Sequence, residues 1–327
     1  MKNPGITTVA VVGTGVIGRS WIQVFARAGC RVRAFDQSPE QLARAMAWFK
    51  ADLKALRGRG EIKKREAKAR WDLVEASDSL EEAVAGAGYV QESGPENLDA
   101  KRALYAEIDR HAAPRAIIGS STSTLDMTLV AAGLPGAARC IVAHPVNPPH
   151  VVPAVEILGG AGTDRKVVKR TIKFMTALGQ TPILMYRFAP GFVLNRLQSA
   201  LVREAVDLVR SGVCDVQAVD DSVREGLGLR WALMGPFGVA NTNADHGAAE
   251  YFTRYGDSYQ ALWDDLKTDV RFDDDLVRRI GKQTDRLIPA SHQAQRAWRD
   301  RMVGRIRRLK TDDPLPLKPR RSKAGKR

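Results

Sequence analysis

The stretch from Thr8 to Asp36, TVAVVGTGVIGRSWIQVFARAGCRVRAFD, constrains the fold more than any other part of the chain. Val9 to Val12 is an apolar run of buried-strand length that breaks into Gly13, Gly15 and Gly18. Ile17, Trp21, Val24, Phe25 and Ala28 then recur at helical spacing. The pattern predicts strand, glycine turn and helix, with the helix stopping at Gly29, a residue type that accepts a left-handed cap. Arg31 to Phe35 reads as a second strand closed by Asp36. Each glycine has its own physical job: Gly13 turns the chain tightly, Gly15 lets backbone N–H groups approach a pyrophosphate, and Gly18 lets helix and strand pack closely. The first helical residues, Val16, Ile17 and Gly18, offer N–H donors and a positive dipole end to that pyrophosphate. An acid at Asp36 accepts hydrogen bonds from ribose hydroxyls and repels a 2′-phosphate, so the cofactor expected is NAD rather than NADP. A bare GxGxxG is weak evidence, but here it follows a strand, opens a helix and is answered by an acid about 20 residues on.

The 327 residues are enough for two domains, and 44% hydrophobic with 27% charged residues suits a chain able to bury a sizeable core. No apolar run approaches the roughly 20 residues of a membrane span, and the N-terminus has no signal-peptide pattern, so no membrane partner is expected and the cytoplasm is. Cys30, Cys140 and Cys214 are far apart and form no CxxC, which argues against a disulfide framework or a metal site. The net charge of +14 is partly local, in Lys318, Arg320, Arg321, Lys323, Lys326 and Arg327 of a tail expected to be disordered. A second basic set, Arg299 to Lys310, lies on the expected last helix. No zinc finger, helix-turn-helix or aromatic-interleaved strand accompanies it, so it reads as a solvated surface rather than a nucleic-acid site, with a positive field suited to an anionic substrate.

After Asp36 the residues Ser38-Pro39-Glu40-Gln41 start a helix, with Ser38 as N-cap and Gln41 placed to complete a capping box. A long helical detour follows in place of the single short helix of a plain mononucleotide-binding unit. Gly88 to Glu92 reads as the next strand, and Glu96 and Lys101 lie just beyond its carboxyl end, where ligands of open parallel sheets bind. A polar helix cap explains Glu96 as well as a cofactor contact does. Ala116 to Gly119 is a further strand running into five hydroxyls, Ser120 to Thr124, of which some face a cavity or cap the helix near Asp126. Ile141 to Ala143 is a strand that delivers His144, followed by a rigid loop with Asn147, Pro148 and Pro149 and by a strand over Val151 to Leu158 carrying Glu156. Oxidation of a secondary alcohol needs a base for the hydroxyl proton, and imidazole is the side chain that titrates nearest neutral pH. A glutamate on the other ring nitrogen fixes the tautomer and stabilises the imidazolium, the orienting logic of a triad. Thr181 to Tyr186 is the last strand expected. From Pro190 onward the pattern is helical, with Asn195 in the first turns, breaks at Gly226–Gly228, Gly235-Pro236 and Gly247, and Arg230 just after the first break.

VAVVGTGVIGRSW, GSSTSTL, CIVAHPVNPPHVVPAVEI, PGFVLNRLQ and EGLGLRWALMGPF, in that order, resemble the short-chain L-3-hydroxyacyl-CoA dehydrogenase superfamily, and within it the lambda-crystallin / L-gulonate 3-dehydrogenase branch. The similarity runs from about residue 6 to about 310. It implies a Rossmann-like doubly wound α/β domain with a helical insertion (1–187), an all-helical substrate and dimerisation domain (188–312), a basic tail (313–327) and a homodimer. Carried over, the resemblance makes His144 the base and Glu156 its partner, with Ser123 and Asn195 binding the reacting oxygen and neighbouring substrate atoms. It sets Asp36 on the adenosine ribose and Glu96 and Lys101 near the nicotinamide. Asn147 and Arg230 are further substrate-binding candidates. The planar guanidinium of Arg230 suits a free carboxylate, although an Arg tying the joint to a neighbouring helix explains it too.

The function expected is NAD-dependent oxidation of the 3-hydroxyl of a small, L-gulonate-like 3-hydroxy acid. The alternatives are an L-3-hydroxyacyl-CoA or carnitine-type dehydrogenase and a crystallin-like packing protein without catalysis. Gly238 to Asn243 departs from the pattern expected after GPF, which leaves the distal part of the substrate pocket open.

Overall fold

The computed structural model describes residues 5–288 and 291–315, so the basic residues from Lys318 to Arg327 lie outside the described residues. The chain divides into two compact units, Met1–Arg196 and Leu197–Arg327.

The first unit runs β1 (Thr8–Val12), α1 (Val16–Arg27), β2 (Arg31–Phe35), α2 (Pro39–Gly58), α3 (Lys64–Trp71), β3 (Val74–Ala76), α4 (Leu80–Val84), β4 (Tyr89–Glu92), α5 (Leu98–His111), β5 (Ile117–Ser120), α6 (Met127–Val130), β6 (Cys140–Pro145), β7 (Ala154–Gly159), α7 (Arg165–Ala177) and β8 (Thr181–Leu184). The strands form one sheet in the order β3-β2-β1-β4-β5-β6-β7-β8. The first six are parallel, β7 runs antiparallel to β6, and β8 is parallel to β7. Parallel strands are buried on both faces, which is why β1 is a continuous apolar run rather than an alternating one. One face is covered by Trp21 and Phe25 of α1, Phe49 of α2 and Phe174 of α7. The other is covered by Tyr105 and Ile108 of α5 with Met127, Val130 and Phe192. The helical detour is α2 and α3, clasped by the stacked rings of Phe49 and Trp71 at 5.9 Å.

The glycine turn shows why its three glycines are not interchangeable. Gly13 has φ +86°, and a Cβ on it would lie 2.7 Å from the Ser93 carbonyl oxygen. A Cβ on Gly18 would lie 1.9 Å from the Gly13 carbonyl oxygen, whereas nothing lies within 4 Å of one on Gly15. Ser38 caps α2 by accepting from the Gln41 N–H at 3.1 Å, but the box is not reciprocal. The Ser38 N–H is taken by Asp36 Oδ1 at 3.1 Å, which frees the Gln41 amide to donate to the Thr14 carbonyl at 2.9 Å and brace the glycine turn. The expected strand over Val151 to Leu158 begins only at Ala154, because the Val151 and Val152 N–H groups turn back to the Pro148 carbonyl at 3.0 Å. The strand expected to reach Tyr186 ends at Leu184, and Tyr186 is exposed.

Helix α8 (Leu194–Arg210) carries the chain across the boundary into the second unit. There follow α9 (Val216–Asp221), a π-helical stretch (Ser222–Leu227), α10 (Gly228–Trp231), α11 (Pro236–Thr242), α12 (Ala248–Asp265), α13 (Asp274–Leu287) and α14 (His292–Asp312). The break expected at Gly226–Gly228 is instead a widened helix. The bare Cα of Gly228 accommodates the wide turn, where a Cβ would meet the Val223 carbonyl at 2.7 Å. Pro236 and Gly247 do start new helices. No helix among the described residues is long and apolar enough to cross a membrane.

Gly18→Ala is expected to lower the melting temperature sharply, because its methyl group has no room, whereas Gly15→Ala should melt close to the unaltered protein. Equal melting temperatures in a thermal scan would remove the packing role of Gly18.

Candidate active site

Strands β1, β4, β5 and β6 all end at the same edge of the sheet, and the charged and hydroxyl side chains of the site cluster there. His144 lies next to last on β6, directly opposite Glu156 on antiparallel β7. This register brings His144 Nδ1 to 2.7 Å from Glu156 Oε2. Glu156 is fully buried, and its other oxygen accepts the N–H groups of Val193 at 2.7 Å and Leu194 at 2.9 Å, where α8 begins. Burial pushes the carboxyl up. The bond from His144 and those from the Leu194 and Val193 amides outweigh it and hold the group below the ordinary carboxylate value. An ionised carboxylate only accepts, so the shared proton belongs to His144 Nδ1, and Nε2 is left as the lone-pair nitrogen. Burying a carboxylate costs several kcal/mol, and hydrogen bonds to a charged group contribute roughly 1.5–3 kcal/mol each, so three of them offset that cost.

The two amides are aimed by a turn that periodicity alone misreads as helix. Phe192 is not in α8. It has φ 52°, the single positive φ on a non-glycine residue among the described residues, and it follows Gly191 at φ 76°. Its ring is buried, 5.5 Å from that of His144 and 6.1 Å from Phe188. Left-handed backbone strains a bulky residue, and burial of the ring against its neighbours offsets the strain.

All five hydroxyls from Ser120 to Thr124 have partners within the unit. Ser120 donates to Glu92 at 2.6 Å, and Ser121 is bonded by Trp21, Gln91 and Ser93 at 3.2, 2.8 and 2.9 Å. One oxygen of Glu96 accepts the Thr122 and Thr124 hydroxyls at 2.7 and 2.9 Å, the Ser123 and Thr124 N–H groups at 2.8 and 3.0 Å, and, longer, the Ser123 hydroxyl at 3.3 Å. Burial raises the Glu96 carboxyl, and these donors with the charge of Lys101 bring it below the ordinary value. Ser123 and His144 lie three and two residues beyond the paired residues Ser120 and Val142, at the ends of neighbouring strands. Lys101 is 1% exposed, with its ammonium 2.7 Å from Glu92, so its charge is spent inside the protein.

At the glycine turn, no side chain caps α1 and its first turn holds no acid. The open side of Gly15 is a cradle that a Cβ would fill. Asp36 accepts the Thr14 N–H at 2.6 Å and the Thr14 hydroxyl at 3.0 Å on Oδ2 and the Ser38 N–H at 3.1 Å on Oδ1, and stays partly exposed with a lone pair of Oδ1 to spare. These features fit a dinucleotide, whose pyrophosphate Val16, Ile17 and Gly18 are available to bind. Asn147 is exposed on the loop after His144, and Asn195 is exposed in the first turn of α8, one residue from an amide that holds Glu156. Arg230 is exposed on α10 in the second unit.

Residues 8–187 match the model for the 3-hydroxyacyl-CoA dehydrogenase NAD binding domain, and residues 191–277 match that for the 3-hydroxyacyl-CoA dehydrogenase C-terminal domain. The chain belongs to the 3-hydroxyacyl-CoA dehydrogenase family. Members of this family are NAD-dependent oxidoreductases, and NAD is the cofactor. Lambda-crystallin homolog from Bos taurus is 39% identical over 96% of this chain and 100% of its own length, which sets the chain in the lambda-crystallin branch. L-carnitine dehydrogenase from Streptomyces coelicolor is 39% identical over 80% of this chain and 82% of its own. Among solved structures, 5-formyl-3-hydroxy-2-methylpyridine 4-carboxylic acid 5-dehydrogenase, an NAD+-dependent dismutase, is 27% identical with a TM-score of 0.77, covering 93% of this chain and 98% of that one.

Sequence reasoning gave Glu92, Gln41 and Phe192 no role at the site. A charged residue ending a strand of otherwise buried residues was the available signal for Glu92, and Gly191 before Phe192 was the signal for the turn.

Because the folded value of Glu156 lies below that of an unfolded carboxylate, its contribution to stability is present above about pH 4.3 and is lost as pH falls through the lower folded value. Glu156→Gln should therefore lower the melting temperature at pH 7 and flatten its decline towards pH 3. A decline as steep as in the unaltered protein would show that Glu156 carries no such linkage.

Proposed function

We propose that the protein oxidises the 3-hydroxyl of a small L-3-hydroxy acid, L-gulonate-like, to the 3-keto acid. The observation that carries this reading is the pairing of His144 with a buried, ionised Glu156 at the carboxyl edge of a dinucleotide-binding sheet. His144 takes the hydroxyl proton on Nε2, and Glu156 stabilises the imidazolium that results. Ser123 and Asn195 bind the reacting oxygen, and Asn147 lines the substrate side. NAD, when bound, supplies the hydride acceptor. Gly13, Gly15, Val16, Ile17 and Gly18 hold its pyrophosphate and Asp36 its adenosine ribose, while Glu96 and Lys101 shape the nicotinamide end. Arg230 pairs with the substrate carboxylate. We further read the protein as a homodimer through its helical unit, where Phe237 and Trp263 are 74% and 60% exposed in the single chain.

A second reading, a carnitine-type dehydrogenase, draws support from the 39% identity to L-carnitine dehydrogenase. A panel of L-gulonate, L-carnitine, L-3-hydroxybutyrate and its CoA thioester, with NADH formation as readout, separates them. Turnover of the thioester alone would overturn the free-acid reading. His144→Gln is expected to lower kcat by about a hundredfold or more, the scale of a lost general base, with binding of NAD retained. Arg230→Met should raise KM for the acid by roughly tenfold, the worth of a charge-assisted hydrogen bond, and leave the melting temperature unmoved. An unchanged KM would dismiss the role of Arg230.

A further inference from the structure

Glu92 ends β4 as a fully buried carboxylate that the chemistry above does not use. Its two oxygens face different partners. Oε1 accepts from Lys101 Nζ at 2.7 Å and from the Gly94 N–H at 2.6 Å, while Oε2 accepts from the Ser120 hydroxyl, at the end of β5, at 2.6 Å. The Glu92 carbonyl also accepts the Ser121 N–H at 2.8 Å, and the Ser120 hydroxyl oxygen accepts the Thr122 N–H at 3.1 Å. Lys101, equally buried, reaches the Gly94 carbonyl at 3.4 Å and lies 3.7 Å from Glu96 Oε2. One interior ammonium therefore sits between two carboxylates that together bind Ser120, Thr122, Ser123 and Thr124. On the opposite side, the Ser93–Gly94 turn held by Glu92 is the surface that Gly13 packs against, with the Ser93 N–H donating to the Val12 carbonyl at 2.7 Å.

We infer that Glu92 and Lys101 act as one positioning unit, a buried ion pair that fixes the hydroxyl loop, and Ser123 with it, relative to the glycine turn. The inference rests on the reading of Ser123 as a group that binds the reacting oxygen. A buried ion pair is a poor source of stability, since matched apolar replacements are often neutral or better, and what it does supply is a single arrangement of the groups around it. Here those groups are the ends of β4 and β5 and the loop between the cofactor turn and the base. Displacing that loop moves Ser123 off the reacting oxygen without touching His144.

The test compares Lys101→Met, the double variant Glu92→Gln/Lys101→Met, and Ser120→Ala, which removes one hydroxyl and is the mildest of the three. Lys101→Met leaves Glu92 buried without a counter-charge and is expected to lower the melting temperature. The double variant should recover most of that loss. Its kcat should nevertheless stay about tenfold to a hundredfold below the unaltered protein, the scale of an ångström misplacement. In Ser120→Ala and in the double variant, hydrogen exchange at the Thr122 to Thr124 amides should quicken about tenfold, as local opening becomes easier. Recovery of kcat together with the melting temperature would reduce the pair to a structural element and overturn the inference, as would unchanged exchange in the loop. Absence of turnover by the unaltered protein on every 3-hydroxy acid would strike the functional reading instead, and the exchange measurement would still decide the role of the pair.

Discussion

A single buried carboxylate ties together three separate parts of the first unit. Glu156 collects one donor from β6 and two from the start of α8, and the three come from parts of the chain up to 38 residues away. Removal of any donor leaves charge in the interior without compensation. The His144 ring, the left-handed turn at Phe192 and the direction in which α8 sets out are consequently solved together by one local electrostatic demand. The antiparallel pairing of β6 with β7 sets the two residues face to face across the ladder.

A second centre of the same kind lies three strands along the sheet. Glu92 and Glu96 share Lys101 and tie down the hydroxyl loop, so the same edge of the sheet carries two anchored carboxylate systems. They differ in what they hold. Glu156 holds a titratable ring, and Glu92 with Glu96 holds hydroxyls and amides. The glycine turn adds backbone donors without side chains, so the groups that would meet the pyrophosphate are rigid by construction.

Much of this was legible from residue order. The strand, turn and helix from Thr8 to Asp36 were, because both faces of a central parallel strand must be apolar and the glycines are demanded by steric contacts of 1.9 and 2.7 Å. The His144–Glu156 contact was legible as proximity of two strands, but its register was not, since periodicity does not say which residue of Ala154–Gly159 stands opposite which of Cys140–Pro145. Phe192 followed the helical spacing of Leu194 and Leu197, and nothing in that spacing reveals that its backbone turns left-handed to present two amides to Glu156. Gln41 looked like half of a capping box because its actual partner, the Thr14 carbonyl, is 27 residues away in the chain, while the Ser38 N–H is taken locally by Asp36. The widened helix at Ser222–Leu227 was hidden for a related reason: two glycines mark a break as readily as they mark room for a neighbouring carbonyl.

The hairpin from Cys140 to Gly159 separates two properties that evolution would otherwise have to change together. The acid and the imidazole are matched by ladder bonds on either side of them, and the eight residues from Val146 to Pro153 form their connection, in which Pro148 and Pro149 are buried and Asn147 is exposed. The exposed part of that connection can change its polar groups while His144 and Glu156 keep their alignment. Register and loop chemistry are thereby separable, and a change at Asn147 leaves the ladder that aligns the two residues untouched.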